Sequence, residues 1–212
     1  VRWSRTQDYY NQAKWRGTWA MDGGVLANQA SHHIDLLEWM MGDVESVFSL
    51  GKTALAEIET EDTAVAVLKF KNGALGVIEA TTAIRPKDLE GSISVLGEYG
   101  SVEVGGFAAN ELKTWNFINP DPNDKRIMRD FSKNPSVNGF SHKEYYNHIT
   151  ECIINNKPHL VDGHEGLKSL ILINALYESI QTGSEISINL KNDFNNSKLV
   201  NFRFFIFYNF EF

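Results

Sequence analysis

Between Asp22 and Asp35 the chain reads D-G-G-V-L-A-N-Q-A-S-H-H-I-D, and this stretch constrains both its fold and its chemistry. Asp22 suits a helix N-cap, and Gly23 and Gly24 permit a tight turn ahead of the helix. Val25, Leu26, Leu36, Leu37 and Met40 then recur as one buried helical face. Asn28, His32 and Asp35 interrupt that face with polar groups. At spacings of four and three residues they would share one helix edge, which would present an amide, an imidazole and a carboxylate together. An imidazole titrates near neutrality, at about 6.5. A carboxylate one turn away could hold the ring and fix its tautomer. The set suits general acid–base work on a hydroxyl. The same residue types also make solvated helix faces and hydrogen-bonded structural histidines, and the residues alone leave both readings open.

With 212 residues, of which 42% are hydrophobic, the chain can bury a core as one domain or at most two small ones. A net charge of −7, spread along the chain, argues against nucleic acid as a partner. The single cysteine, Cys152, excludes an internal disulfide and suits a reducing compartment, so a cytoplasmic location is expected. Its apolar helical setting reads as a buried structural thiol. No apolar run approaches the ~20 residues that span a bilayer, so no membrane partner is expected. No metal site is expected either. His164 lacks further ligands at suitable spacing, and His32 and His33 would point about 100° apart on a helix. The chain opens at Val1 with strand-like residues, as a piece of a longer protein would. No G-x-G-x-x-G follows a strand: Gly97–Gly100 and Gly105–Gly106 have the wrong spacing and no helix after them.

Val1–Ser4 reads as a strand end. Thr6–Trp19 is an aromatic, basic loop, suited to an anionic ligand or equally to a surface loop pinned by its tryptophans. Val44–Lys52, Thr63–Phe70, Ala74–Thr82, Ser92–Leu96, Ser101–Val104 and Glu111–Phe117 read as strands of one antiparallel meander, with a hairpin at Asn72-Gly73. Its second face, with Val65, Val67 and Val77, is apolar enough to invite a partner. Asn119–Asn138 reads as a long loop or lid carrying Lys125, Arg126 and Arg129. Phe140–Asn156, with Ser141 and Glu144 as a capping box, and Gly163–Thr182 read as helices. The tail, residues 191–212, is crowded with aromatics and has no functional account. The expected class is α+β: an antiparallel or mixed open sheet with helices packed on one face, over residues 1–190.

The central stretch resembles the signature G-G-G-x-L-x-D-x-G-x-H-x-x-D of the glucose–fructose oxidoreductase/inositol dehydrogenase family, often written Gfo/Idh/MocA. Gly23, Gly24, Leu26, His32 and Asp35 match, whereas Val25, Asn28 and Ala30 depart from it. The flanks R-W-S-R at Arg2–Arg5, Y-Y at Tyr9–Tyr10, W-R-G-T-W at Trp15–Trp19 and the run ending M-M-G match as well, as do D-G-H-E-G at Asp162–Gly166 and L-I-N-A-L-Y-E-S after it. They look most like the UDP-N-acetylglucosamine/UDP-N-acetylglucosaminuronate 3-dehydrogenase branch, in which N-Q at the positions of Asn28–Gln29 is common. The resemblance implies the C-terminal, substrate-binding and oligomerising domain of a two-domain NAD- or NADP-dependent sugar dehydrogenase. The Rossmann domain and the catalytic lysine of the E-K-P motif would lie outside this chain. Tight cofactor binding and turnover are therefore not expected of the chain alone. His32, Asn28 and Asp35 are implied at the catalytic centre, and Arg5, Arg16 and Gln29 against substrate. A homo-oligomer through the open sheet face is implied too. The rival readings are a non-catalytic sugar-binding or oligomerisation module, and an inositol or free-sugar dehydrogenase of the same family.

Overall fold

The computed structural model describes residues 1–107, 109–132 and 140–190, without the side chains of 140 and 141. In chain order the elements are α1 (Gln7–Asn11), α2 (Ser31–Met41), β1 (Val44–Lys52), β2 (Thr63–Phe70), β3 (Leu75–Thr81), β4 (Ile93–Gly97), β5 (Gly100–Gly105), β6 (Glu111–Phe117), α3 (Asp124–Phe131), α4 (Phe140–Ile154), α5 (Gly163–Thr182) and β7 (Ile186–Ser187). They fall into two compact units. One is Val1–Leu89 with Leu167–Phe212, described as far as residue 190, and the other is Glu90–Gly166. The α+β class holds, but the expected single meander is two antiparallel sheets, ordered β3-β2-β1-β7 and β4-β5-β6.

In the first unit, strand periodicity decides which side chains form the core. Ala64, Ala66, Leu68 and Phe70 of β2 point inward, and Val65 and Val67 point out. On β3, Ile78 and Ala80 are buried while Leu75 and Val77 are exposed. The inner face receives Ile34 of α2 and Ile171, Leu172, Leu176 and Tyr177 of α5. Val25, Leu26 and Ala30 complete the cluster from the turn before α2. A side-chain bridge backs this packing: the Ser49 amide donates to Ser179 Oγ at 2.9 Å, and Ser49 Oγ donates to the Leu176 carbonyl at 2.6 Å. The Val1–Ser4 segment lies along the end of β3, with the Trp3 amide on the Thr81 carbonyl and the Arg5 amide on the Thr82 carbonyl, both at 2.9 Å. That pairing delivers Trp3 and Arg5 to the site described below.

In the second unit the sequence expectation fails over residues 124–131, where a helix replaces the expected loop. The Asp124 carboxylate accepts from Trp115 Nε1 on β6 at 2.8 Å and from the Asp121 amide at 2.6 Å, which anchors the first turn. Asp124 near the N-terminus and Arg129 in the last turn also suit the helix dipole. Lys125, Arg126 and Arg129 thus lie on a helix. Residues 133–139, the rest of the expected lid, and the aromatic tail 191–212 lie outside the described residues, as does the Ser141 half of the capping box. Cys152 is buried, with Sγ 3.6 Å from His148 Nε2 and donating to the Pro158 carbonyl at 3.5 Å. His164 is exposed at the start of α5, where Asp162 Oδ1 accepts its amide at 2.8 Å.

Leu176 is fully buried between α5 and the sheet, whereas Val77 is 74% exposed. Leu176→Ala should lower unfolding free energy by about 2–5 kcal/mol in urea titration. Val77→Ala should cost about 1 kcal/mol or less.

Candidate functional site

The helix bearing His32 begins at Ser31, not near Asp22, so the geometry read from the sequence needs correcting. Residues 25–30 are successive turns: the Asn28 amide donates to the Gly24 carbonyl at 3.0 Å and the Ala30 amide to the Val25 carbonyl at 2.8 Å. Asp22 is no N-cap of this helix, because its carboxylate is already engaged. One oxygen accepts the Gly17 amide at 2.7 Å and the other accepts Asn28 Nδ2. Burial pushes the Asp22 carboxyl above its ordinary value, against the opposing pull of the Gly17 amide, Asn28 and Arg16.

Asn28 and His32 are therefore not successive turns of one helix, yet both reach the same place. A hollow of about 400 Å³ is lined by Trp3, Ser4, Arg5, Thr6, Tyr9, Asn28, Gln29 and His32. His32 is exposed at its rim, while the adjacent His33 is buried edge-on against Trp3, ring centroids 5.8 Å apart. Gln29 is buried, with Nε2 donating to Tyr9 Oη at 3.4 Å. Asp35 turns away: its Oδ1 accepts a bond from Ser169 Oγ of α5 at 2.7 Å rather than from the His32 ring. It fastens α2 to α5 instead of orienting the imidazole.

The cations of the site are held by aromatic faces and carboxylates. The Arg5 guanidinium lies 5.3 Å from the ring centres of both Trp3 and Tyr9 and pairs with Asp88 at 3.1 Å. Arg16 stacks on Tyr9 at 4.1 Å and on Trp15 at 5.4 Å, and its Nη1 donates to the Tyr9 carbonyl at 2.8 Å. Arg16 faces a neighbouring hollow of about 450 Å³, shared with Gln7, Tyr10, Gly17 and Glu57 among others. Of the six residues picked from sequence, four (Asn28, His32, Gln29 and Arg5) meet at one hollow. Tyr9, Trp3 and Asp88 were missed as site residues, although Arg2–Arg5 and Tyr9–Tyr10 stood out as flanking text.

Behind the turn that carries Asn28 and Gln29, a buried carboxyl that sequence reasoning also missed holds the backbone of residues 25 and 26. Glu61 Oε1 accepts the Leu26 amide at 2.9 Å and the Tyr177 hydroxyl at 3.0 Å, and the Glu61 carbonyl accepts the Val25 amide at 2.9 Å. Burial is the main cause that raises its carboxyl to about 7. The next residue, Asp62, goes the other way. Burial pushes it up, but the amides of Ala56, Leu55 and Ala54 outweigh that and hold it below the usual carboxylate range.

The fold and hollow define a class: an α+β domain with an imidazole, amides and a guanidinium grouped at one hollow. The chain belongs to the oxidoreductase family, as its C-terminal alpha/beta domain of the Gfo/Idh/MocA type, whose family model matches residues 1–189. It is similar to the WlbA dehydrogenase from Bordetella pertussis, solved in complex with NADH and UDP-GlcNAcA: identity is 45%, TM-score 0.82, coverage 88% of this chain and 54% of that one. The WlbA dehydrogenase from Chromobacterium violaceum, solved with the same two ligands, is also 45% identical, with TM-score 0.80 over 89% of this chain and 52% of that one. Myo-inositol 2-dehydrogenase from Thermotoga maritima is 28% identical over 176 residues, 79% of this chain and 50% of that protein. The chain thus spans about half the length of the relatives it matches. Among the described residues, no helix is long and apolar enough to cross a membrane, and no cluster of His, Cys, Asp and Glu could hold a metal ion.

Folded Glu61 retains a proton up to about pH 7 that an ordinary glutamate, near 4.5, releases. The folded state therefore binds more protons across that window, and its contribution to stability is full below the lower value and is lost as pH rises through the upper one. At ~1.4 kcal/mol per unit this amounts to roughly 3 kcal/mol. Denaturation of wild type and Glu61→Gln at pH 5 and pH 8 should show Glu61→Gln gaining relative stability at the higher pH. A constant difference would contradict the raised carboxyl.

Proposed function

We propose that this chain is the substrate-binding half of a nicotinamide-dependent dehydrogenase that oxidises a secondary hydroxyl of a nucleotide-linked N-acetylated sugar or its uronate. UDP-linked N-acetylglucosaminuronate is the preferred candidate. The reading is carried by the convergence of His32, Asn28, Gln29 and Arg5 on one hollow, in a chain 45% identical to two dehydrogenases solved with NADH and that sugar nucleotide. The described residues do not fit a cofactor cradle, because Gly97–Gly100 forms the hairpin between β4 and β5 and Gly105 ends β5. NAD or NADP would then be held mainly by a partner Rossmann domain and would supply the hydride acceptor. On this reading the chain alone binds NAD weakly and does not turn over.

This chain's own residues act on the sugar. As the carbinol C–H pair leaves as hydride and the C–O bond becomes double, the hydroxyl proton must go to a base. His32 takes that proton or orients the hydroxyl for a base outside the chain. Asn28, with Nδ2 held by Asp22, keeps its carbonyl oxygen for a sugar hydroxyl or the nicotinamide edge. Gln29 offers a second amide, and Arg5 a guanidinium for carboxylate or diphosphate. Arg16, in the neighbouring hollow, would meet charge further along the substrate. Asp35 acts indirectly, by holding α2 against α5. The 28% identity to myo-inositol 2-dehydrogenase supports a second reading, an inositol or free-sugar substrate, to which two guanidiniums contribute less. The single cysteine favours the cytoplasm.

In the full-length protein, His32→Ala should lower kcat by about 10²–10⁴ with an unchanged melting temperature, since the ring is exposed. Normal turnover with lost stability would replace this reading with a structural one.

The open sheet face supports assembly. Leu50, Val65, Val67, Leu75 and Val77 are all more than 40% exposed, and Leu50–Val65 and Val67–Val77 are cross-strand partners. A contiguous apolar face of this kind suits burial against a second copy. Sedimentation should find wild type as an oligomer, and Val67→Lys with Val77→Lys as a folded monomer. An unaltered mass would rule this face out as the contact.

A further inference from the structure

Three successive amides lead into the turn that carries Asn28 and Gln29, and all three end on one buried pair. The Gly24 amide donates to Tyr177 Oη at 3.1 Å, the Val25 amide to the Glu61 carbonyl at 2.9 Å, and the Leu26 amide to Glu61 Oε1 at 2.9 Å. Tyr177 closes the circuit by donating to Glu61 Oε1 at 3.0 Å. Glu61 is 5% exposed and Tyr177 4%. The fit is tight enough that a Cβ on Gly24 would stand 1.9 Å from Glu61 Oε2. From Gly24 the chain runs straight to the site, because its carbonyl accepts the Asn28 amide at 3.0 Å.

We propose that Glu61 is a positioning residue for the hollow. It touches no ligand, and it fixes Asn28 and Gln29 relative to His32 by holding the Leu26 amide with its carboxyl, the Val25 amide with its main-chain carbonyl and the Gly24 amide through Tyr177. The part that concerns ligand rests on the reading of the hollow as a sugar-nucleotide site; the clamp itself does not. The titratable groups that face the Glu61 carboxyl are Tyr177 of α5 and the adjacent Asp62, whose own oxygens are turned to the amides of Ala54, Leu55 and Ala56. What the clamp needs from position 61 is an acceptor oxygen rather than a charge, because backbone amides and a phenol donate equally well to an amide carbonyl.

Glu61→Gln and Glu61→Leu separate these requirements. In Glu61→Leu, hydrogen exchange at Leu26 should speed up about tenfold or more, as expected for a lost buried acceptor, whereas Val25, whose acceptor is the main-chain carbonyl of residue 61, should change less. In the full-length protein, KM for UDP-N-acetylglucosaminuronate should rise about tenfold with kcat less affected. Glu61→Gln should restore both to within about threefold of wild type. If Glu61→Leu does not fold, Tyr177→Phe carries the test: it removes the Gly24 acceptor and should speed exchange at Gly24 while raising KM in the same direction. Unchanged exchange overturns the clamp, and so does a Glu61→Gln variant as impaired as Glu61→Leu. Faster exchange with unchanged KM overturns the positioning role. Failure of the wild-type full-length protein to bind the sugar nucleotide, with exchange behaving as described, overturns the functional reading and leaves the clamp standing.

Discussion

The capture of three neighbouring amides by two residues, Glu61 through its carboxyl and its main-chain carbonyl and Tyr177 through its phenol, is the constraint on which the rest of the first unit depends. Residues 22–30 are neither helix nor strand, so their N–H groups have no regular ladder to join. Buried amides without partners cost about 1–3 kcal/mol each. Glu61 and Tyr177 supply those partners from the segment just before β2 and from α5. The turn, the sheet and the closing helix therefore become one hydrogen-bonded object. Val25 and Leu26 can then enter the core at 1% and 0% exposure while their backbone remains satisfied. The cost falls on Glu61, which sits in low dielectric and keeps its proton to about pH 7.

This arrangement explains the glycine pair better than turn geometry alone. Gly23 has φ +73°, a conformation that side chains disfavour. Gly24 is constrained by space, since any Cβ there would collide with the Glu61 carboxylate. The two glycines thus answer two separate demands, one conformational and one steric. A signature read as a helix start is, in physical terms, the landing site for a buried acid.

How much was legible follows from the range over which each feature is determined. The strands β1, β2 and β6 and the helix α5 were delimited from sequence, because local apolar patterns run through them, cleanest in the alternation of β2, and glycine or asparagine stands near their ends. The start of α2 was not. Asp22 has the residue type of a cap, but its carboxylate is drawn off by Gly17 and Asn28, and only the folded loop places those donors near it. Helix α3 escaped because eight residues rich in charge show little period, and its anchor is Trp115 on another element. Glu61 and Asp62 drew no reading from the sequence, being two acids between strands. Their opposite roles, one clamping the site turn and one binding the Ala54–Ala56 amides, arise from donors far away in the chain or held by it only after folding. Asn28, Gln29, His32 and Arg5 do line one hollow, but by a geometry other than the one read from the sequence. A helix edge was expected to align Asn28 with His32, whereas a turn and a helix end bring them together.

The same logic separates the two arginines. Arg5 and Arg16 share the Tyr9 ring, and each also stacks on a tryptophan, so a column of aromatic faces and guanidiniums runs from Trp3 to Trp15. A planar guanidinium can stack and still direct its N–H groups sideways; a lysine ammonium would sacrifice hydration to do so. Arg5 has Asp88 to offset its charge, and Arg16 has carbonyl and amide oxygens instead. Arg16 nonetheless lies near enough to Asp22 to favour its charged form, and Glu57 and Glu59 line the same hollow, so carboxylate offsets both guanidiniums, at Arg5 by a direct pair and at Arg16 from a distance. The difference between the two cations is therefore one of geometry: Asp88 fixes Arg5 by a direct ion pair, whereas ring faces and neutral oxygens fix Arg16.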